Sequence, residues 1–71
     1  MTADEFNDLY PVGTPVLAYP GFRPEVDPQA EAIVTTTRSR ASVLGGHTDV
    51  VWVHGHGACI SLTHIDVRSA A

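Results

Sequence analysis

Chemistry in this chain rests on four histidines, one cysteine, a Ser-x-x-His-x-Asp run and two alternating arginines. His54 and His56 stand two apart, with His47 and His64 to either side and Cys59 close by. A tetrahedral zinc site takes Cys and His ligands, usually spaced C-x₂₋₄-C and H-x₃₋₅-H. One cysteine and an HGH that straddles a glycine turn fit that spacing poorly. His54 and His56 are therefore weak metal candidates, and solvated loop histidines with no native metal or cofactor are the expectation.

Nucleophilic catalysis would place Cys59 or Ser61 beside His54 or His64 with a third, orienting group. Asp66 lies two residues from His64, which invites a Ser61–His64–Asp66 reading. All three fall within six residues, and no Gly-rich elbow or oxyanion loop accompanies them. A chain of 71 residues also has little volume for a pocket. The expectation is a non-enzymatic protein, with Ser61 or Thr63 capping a turn and Cys59 as a small buried hydrophobe. Phosphate binding has no support, because Gly45-Gly46 is not followed by Lys-Ser/Thr and Gly55-x-Gly57 lacks a strand–loop–helix setting.

Binding residues are the other possibility. Arg38 and Arg40 alternate onto one strand face, where two guanidiniums suit phosphates or carboxylates. Residues 1–31 hold six acids against Arg23, a balance of −5, so pairing of Arg38 and Arg40 with the acids at 25–31 is expected. Phe22 beside Arg23 at a loop tip suits recognition. Trp52 is either core or interface anchor; a lone tryptophan in a small domain is more often core. His47 belongs to a glycine loop on the same expected surface. Candidate partner contacts are thus Phe22, Arg23, Arg38, Arg40, His47 and Trp52.

The elements that must position these residues are short. Val50–Val53 and Ala58–Leu62 are apolar runs on either side of Gly55-His56-Gly57, and read as a β-hairpin with a three-residue loop. Thr2-Ala3-Asp4-Glu5 has the form of a capping box, so residues 1–11 form a tail or a short helix. Val16–Tyr19 is a first strand, opened by Gly13-Thr14-Pro15 and broken by Pro20-Gly21. Pro20, Pro24 and Pro28 stiffen the loop that follows. Residues 32–44 (AIVTTTRSRASVL) favour one long strand, with a bulge or bend near Arg38–Ala41. Gly45-Gly46 opens a loop over residues 45–49. Ser61–His64 suits a 3₁₀ turn before a last strand at Ile65–Arg68, and residues 69–71 are expected to fray.

The whole reads as an all-β domain of five short strands, closed most economically as a small antiparallel barrel over residues 12–68. That layout resembles the SH3-like small-barrel superfamily. The matching pieces are Gly13-Thr14-Pro15-Val16, the 20–31 loop, the hairpin at 55–57, and Ser61–His64 leading into Ile65-Asp66-Val67. The run LGGHTDVVWVHGHGACISLTHID (44–66) is also similar to small uncharacterised proteins of high-GC bacteria and their phages. The resemblance implies a fold and brings no functional residues, since fold alone does not fix function.

Composition narrows the role. The net charge is −4, and the chain has no lysine. That opposes avid non-specific nucleic-acid binding while leaving room for a local basic patch. No apolar run approaches the ~20 residues a spanning helix needs. The acidic N-terminus is unlike a secretory signal, and a lone cysteine suits a reducing compartment, so a cytoplasmic location is expected. The leading expectation is a non-enzymatic module, such as a phage- or bacterium-encoded accessory protein, that docks a protein partner or a second copy of itself. Nucleic-acid binding through strand arginines is the alternative, and an enzyme or metal site on the 54–66 histidines is the third.

Overall fold

The computed structural model describes residues 1–68. In chain order the elements are α1 (Ala3–Leu9), β1 (Pro15–Ala18), β2 (Ile33–Thr36), β3 (Ser42–Leu44), β4 (Thr48–Val51), β5 (Ile60–Ser61), a 3₁₀ turn (Leu62–His64) and β6 (Ile65–Val67). They form two three-stranded antiparallel sheets, ordered β2-β1-β6 and β3-β4-β5.

The expected five-stranded closed barrel does not form. Among the described residues there are six strands, and the sheets are joined by an isolated Thr37–Val53 bridge. Two local causes account for the difference. The run at 32–44 breaks where a bend was expected, leaving β2 in one sheet and β3 in the other. The 50–62 hairpin keeps only two ladder pairs, Val50 with Ser61 and Val51 with Ile60. Its connection lengthens to residues 52–59, and Val53 within it bridges Thr37. The frayed end expected at 69–71 lies outside the described residues.

Local chemistry explains most of the elements. Thr2 Oγ1 accepts from the Glu5 N–H at 3.1 Å and Glu5 Oε1 accepts from the Thr2 N–H at 2.9 Å, completing a capping box. A seven-residue helix is marginal alone, and three contacts dock it. Asp49 accepts from the Ala3 N–H at 2.8 Å. The Asn7 amide donates to the Ala41 carbonyl at 2.9 Å and accepts from its N–H at 2.8 Å, as a neighbouring strand would. Phe6, 3% exposed, packs into the core and meets Tyr10 at a ring separation of 5.0 Å. At the β3–β4 turn, Gly45 and Gly46 take φ of +63° and +79°, a region side chains oppose. Thr48 and Asp49, expected in that loop, join β4 instead.

The core gathers Ala3, Phe6, Val16, Ala18, Ala41, Val51, Val53, Ile60 and Ile65. Thr37 is the buried polar exception, at 1% exposed. Its hydroxyl accepts from the N–H groups of Gly13 (3.0 Å) and Thr14 (3.2 Å), and its own N–H donates to the Thr14 carbonyl at 3.0 Å. Next to it, the Arg38 N–H donates to the Trp52 carbonyl at 2.9 Å and the His54 N–H to the Thr36 carbonyl at 3.1 Å. Buried donors left without an acceptor cost about 1–3 kcal/mol.

Thr37→Val lowers unfolding free energy by about 0.5–1.5 kcal/mol, the worth of an ordinary hydrogen bond, because the Thr14 N–H keeps the Pro11 carbonyl at 3.2 Å and the Gly13 N–H keeps the Thr37 carbonyl at 3.0 Å. Thr36→Val, whose hydroxyl makes no hydrogen bond among the described residues, is the near-neutral control in a urea titration. Val51→Asp puts a charge at a fully buried position and abolishes cooperative folding. A soluble, cooperatively folded Val51→Asp protein would contradict the placement of β4 in the core.

Candidate functional site

The most specific polar constellation forms around Arg23, in the loop between β1 and β2. Two turns order this loop: Val26 and Asp27 both donate to the Arg23 carbonyl at 3.0 Å, and Ala30 donates to the Asp27 carbonyl at 2.9 Å. Arg23 then fastens it to the sheet. Its Nη2 donates to both carboxylate oxygens of Asp66, at 3.0 and 2.9 Å, its Nη1 to the Thr63 carbonyl at 3.1 Å, and its Nε to Glu25 at 2.8 Å. The guanidinium carbon also sits 5.1 Å from the ring centroid of buried Tyr19, within cation–π range. Hydrogen bonding to Glu25 and then Asp66 holds the Arg23 pKa above its ordinary value, and the same contact lowers that of Glu25.

Arg23 was expected to face a partner; instead its donors are spent within the chain, and it serves as the loop's anchor. What the anchored loop displays is apolar. Phe22 is 67% and Val26 73% exposed, among the most exposed large hydrophobics of the described residues. At the root of the loop, Pro20–Phe22 form one wall and Ala30–Ile33 the other of a groove of about 410 Å³. A groove of about 500 Å³ runs between α1 and the β6 side, but its floor includes the core residues Phe6 and Ile65, which marks it as a packing seam.

The other candidates are dispersed. Arg38 and Arg40 do not pair with the acids at 25–31, because they leave β2 at the Thr36 end while the loop joins it at the Ile33 end. Arg38 donates to the carbonyls of Val53 (3.1 Å) and Gly57 (3.5 Å), and Arg40 is exposed without an ion pair among the described residues. Trp52 is half-buried beside the Thr37–Val53 bridge. His47 is exposed on the β3–β4 turn, its Nδ1 3.1 Å from Thr48 Oγ1.

His54 is exposed and His56 half-buried, and no three His, Cys, Asp or Glu side chains gather into a metal-holding group among the described residues. The Ser61–His64–Asp66 arrangement does not assemble. Asp66 turns to Arg23, while His64 Nδ1 lies 2.9 Å from Thr63 Oγ1, which lies 2.9 Å from Ser61 Oγ. The 3₁₀ turn is capped by Ser61, whose Oγ accepts from the Thr63 N–H. No helix of the described residues is long and apolar enough to cross a membrane.

No protein-family model, curated protein or solved structure matches this chain. Sequence reasoning missed Asp66 as the partner of Arg23, 43 residues away. Both residues were visible, but only the β1–β6 ladder brings them together. Asn7 and Asp49, which dock α1, were missed for the same reason.

Arg23→Met removes the anchor while the hydrophobic cluster, which does not include it, stays packed. Amides of residues 22–27 should exchange faster with deuterium while those of Val51 and Val53 stay protected. The lowered Glu25 pKa makes its pairing stabilising above the ordinary carboxylate value of 4.5 and lost as pH falls through the folded-state value. An NMR titration should find the Glu25 midpoint below 4.5 in the native chain and returned toward it in Arg23→Met.

Proposed function

We propose that this chain is a non-enzymatic binding module that docks a protein partner through the loop between β1 and β2. The observation that carries the reading is the pairing of a pinned loop with an apolar tip. Arg23 immobilises the segment through two carboxylates, one carbonyl and one aromatic face, while Phe22 and Val26 remain in water. A loop already ordered in its bound shape loses less entropy on association, so a small apolar contact yields more affinity. Exposed aromatics beside a groove are what interface anchors use. The acids around the groove (Asp27 and Glu31) favour a partner surface that carries positive charge.

The test is a crosslinked pull-down with tagged protein from native lysate that also contains the untagged chain, with and without nuclease. A stoichiometric protein band that survives nuclease and disappears with Phe22→Ser is the expected result. Circular dichroism and the melting midpoint of Phe22→Ser should match the native chain, because the side chain is mostly in water. A band that is unchanged in Phe22→Ser, or material lost on nuclease treatment, would overturn the reading.

A further inference from the structure

The two ends of the β2-β1-β6 sheet carry opposite charge. β1 begins at Pro15, paired with Thr36 of β2, and the Arg68 N–H donates to the Pro15 carbonyl at 2.9 Å. Arg68 and Arg38 therefore lie at the same end of the sheet, two strands apart, with Arg40 just beyond on the bend. Val12, 56% exposed, precedes Gly13 there. None of these three arginines is in an ion pair among the described residues. Asp66, on β6 two residues before Arg68, is taken by Arg23, and Asp8, on the helix docked at Ala41, makes no ion pair among the described residues.

At the other end, where Ala18 pairs with Ile33, the loop of residues 20–31 emerges. Glu25, Asp27 and Glu31 belong to that loop with Arg23 as its one base, and Arg23 reaches back to Asp66, which pairs with Leu17 in mid-sheet. Phe22 and Val26 are the exposed apolar residues of that end. Each end thus has one sign of charge surrounding an apolar contact, and the two are complementary to each other.

We propose that copies of this chain associate head to tail, the Arg38/Arg40/Arg68 end of one seated on the acidic Phe22 loop of the next. The inference rests on reading that loop as the binding surface, and names a second copy as its occupant. The contact is heterologous: it joins two different surfaces, so each bound copy leaves one end open and rings or open chains follow. Exposed charges drive it, so it weakens with salt.

Charge reversal at one end at a time tests this. Arg40 and Glu31 are both exposed and make no side-chain hydrogen bond among the described residues, so R40E and E31R should fold as the native chain does. In sedimentation velocity at low salt, the native chain should form concentration-dependent oligomers that shrink at about 0.5 M salt. Each variant alone should self-associate about tenfold more weakly. An equimolar mixture should recover a native-strength contact, the basic end of E31R meeting the acidic end of R40E.

A monomeric native chain, a mixture no stronger than its components, or arginine-dependent binding of a single-stranded oligonucleotide without self-association would each overturn head-to-tail pairing. If the chain is monomeric but Phe22-dependent capture of another protein persists, the loop remains a binding surface and only its occupant is wrong. If capture also fails, the reading of the loop itself fails.

Discussion

The packing of this chain depends on the buried contact between Thr37 and Val53. Among the described residues the two sheets share no ladder, and a small core with Val16, Ala18 and Ile65 of one sheet and Val51 and Ile60 of the other packs between them. Thr37 is where the chain leaving β2, the segment before β1 and the segment after β4 converge. A β-branched residue suits the extended backbone, but only the hydroxyl explains the choice of threonine over valine. It accepts from the Gly13 and Thr14 N–H groups, adding a side-chain acceptor to the Thr37 and Pro11 carbonyls that they also reach. Among the described residues, no buried side-chain nitrogen or oxygen lacks a partner.

From that junction the rest follows by constraint. Val53 meets Thr37 on the edge of β4 that β3 also uses, while pairing with β5 stops at Val51 and the connection over 52–59 loops out. The bend at 38–41 lets the chain leave the first sheet and enter the second, and it delivers Ala41 inward. Asn7 then covers the Ala41 backbone that no strand reaches. An edge residue closed by a side-chain amide is one way to blunt an open strand. It also ties the acidic helix to the second sheet, so α1 is an integral part of the fold.

Local patterns in the sequence made several elements legible. The capping box at Thr2–Glu5, the glycine turn at 45–46 and the 3₁₀ turn before β6 each depend on residues within a few positions of one another, and each is found. The bend near Arg38–Ala41 was legible too, because neither face of the threonine-rich run stays apolar along its length. Sheet membership was not. Alternation marks which residues can lie in strands but not which strands pair, so five runs closed into a barrel on paper while the backbone of Val53 chose Thr37. At the candidate site, the exposure of Phe22 at a proline-stiffened tip was legible. The pairing of Arg23 with Asp66 was not legible, because Asp66 comes 43 residues later, on a strand whose neighbour local pattern does not reveal.

The fate of Arg23 also shapes how charge is distributed. Had Arg38 and Arg40 neutralised the acids at 25–31, the sheet would have no electrical polarity and the loop would be tethered across its length. Arg23 satisfies Glu25 and Asp66 from within the loop. The acids then outnumber the local base, and the other arginines keep their charge at the far end. One short-range staple thus has two consequences: it orders the Phe22 tip, and it leaves opposite charges unspent at opposite ends of one sheet. Exposed pairs of this kind contribute little to folding. Their larger effect is on what approaches the surface and in which orientation, because long-range fields steer encounters more than they stabilise contacts.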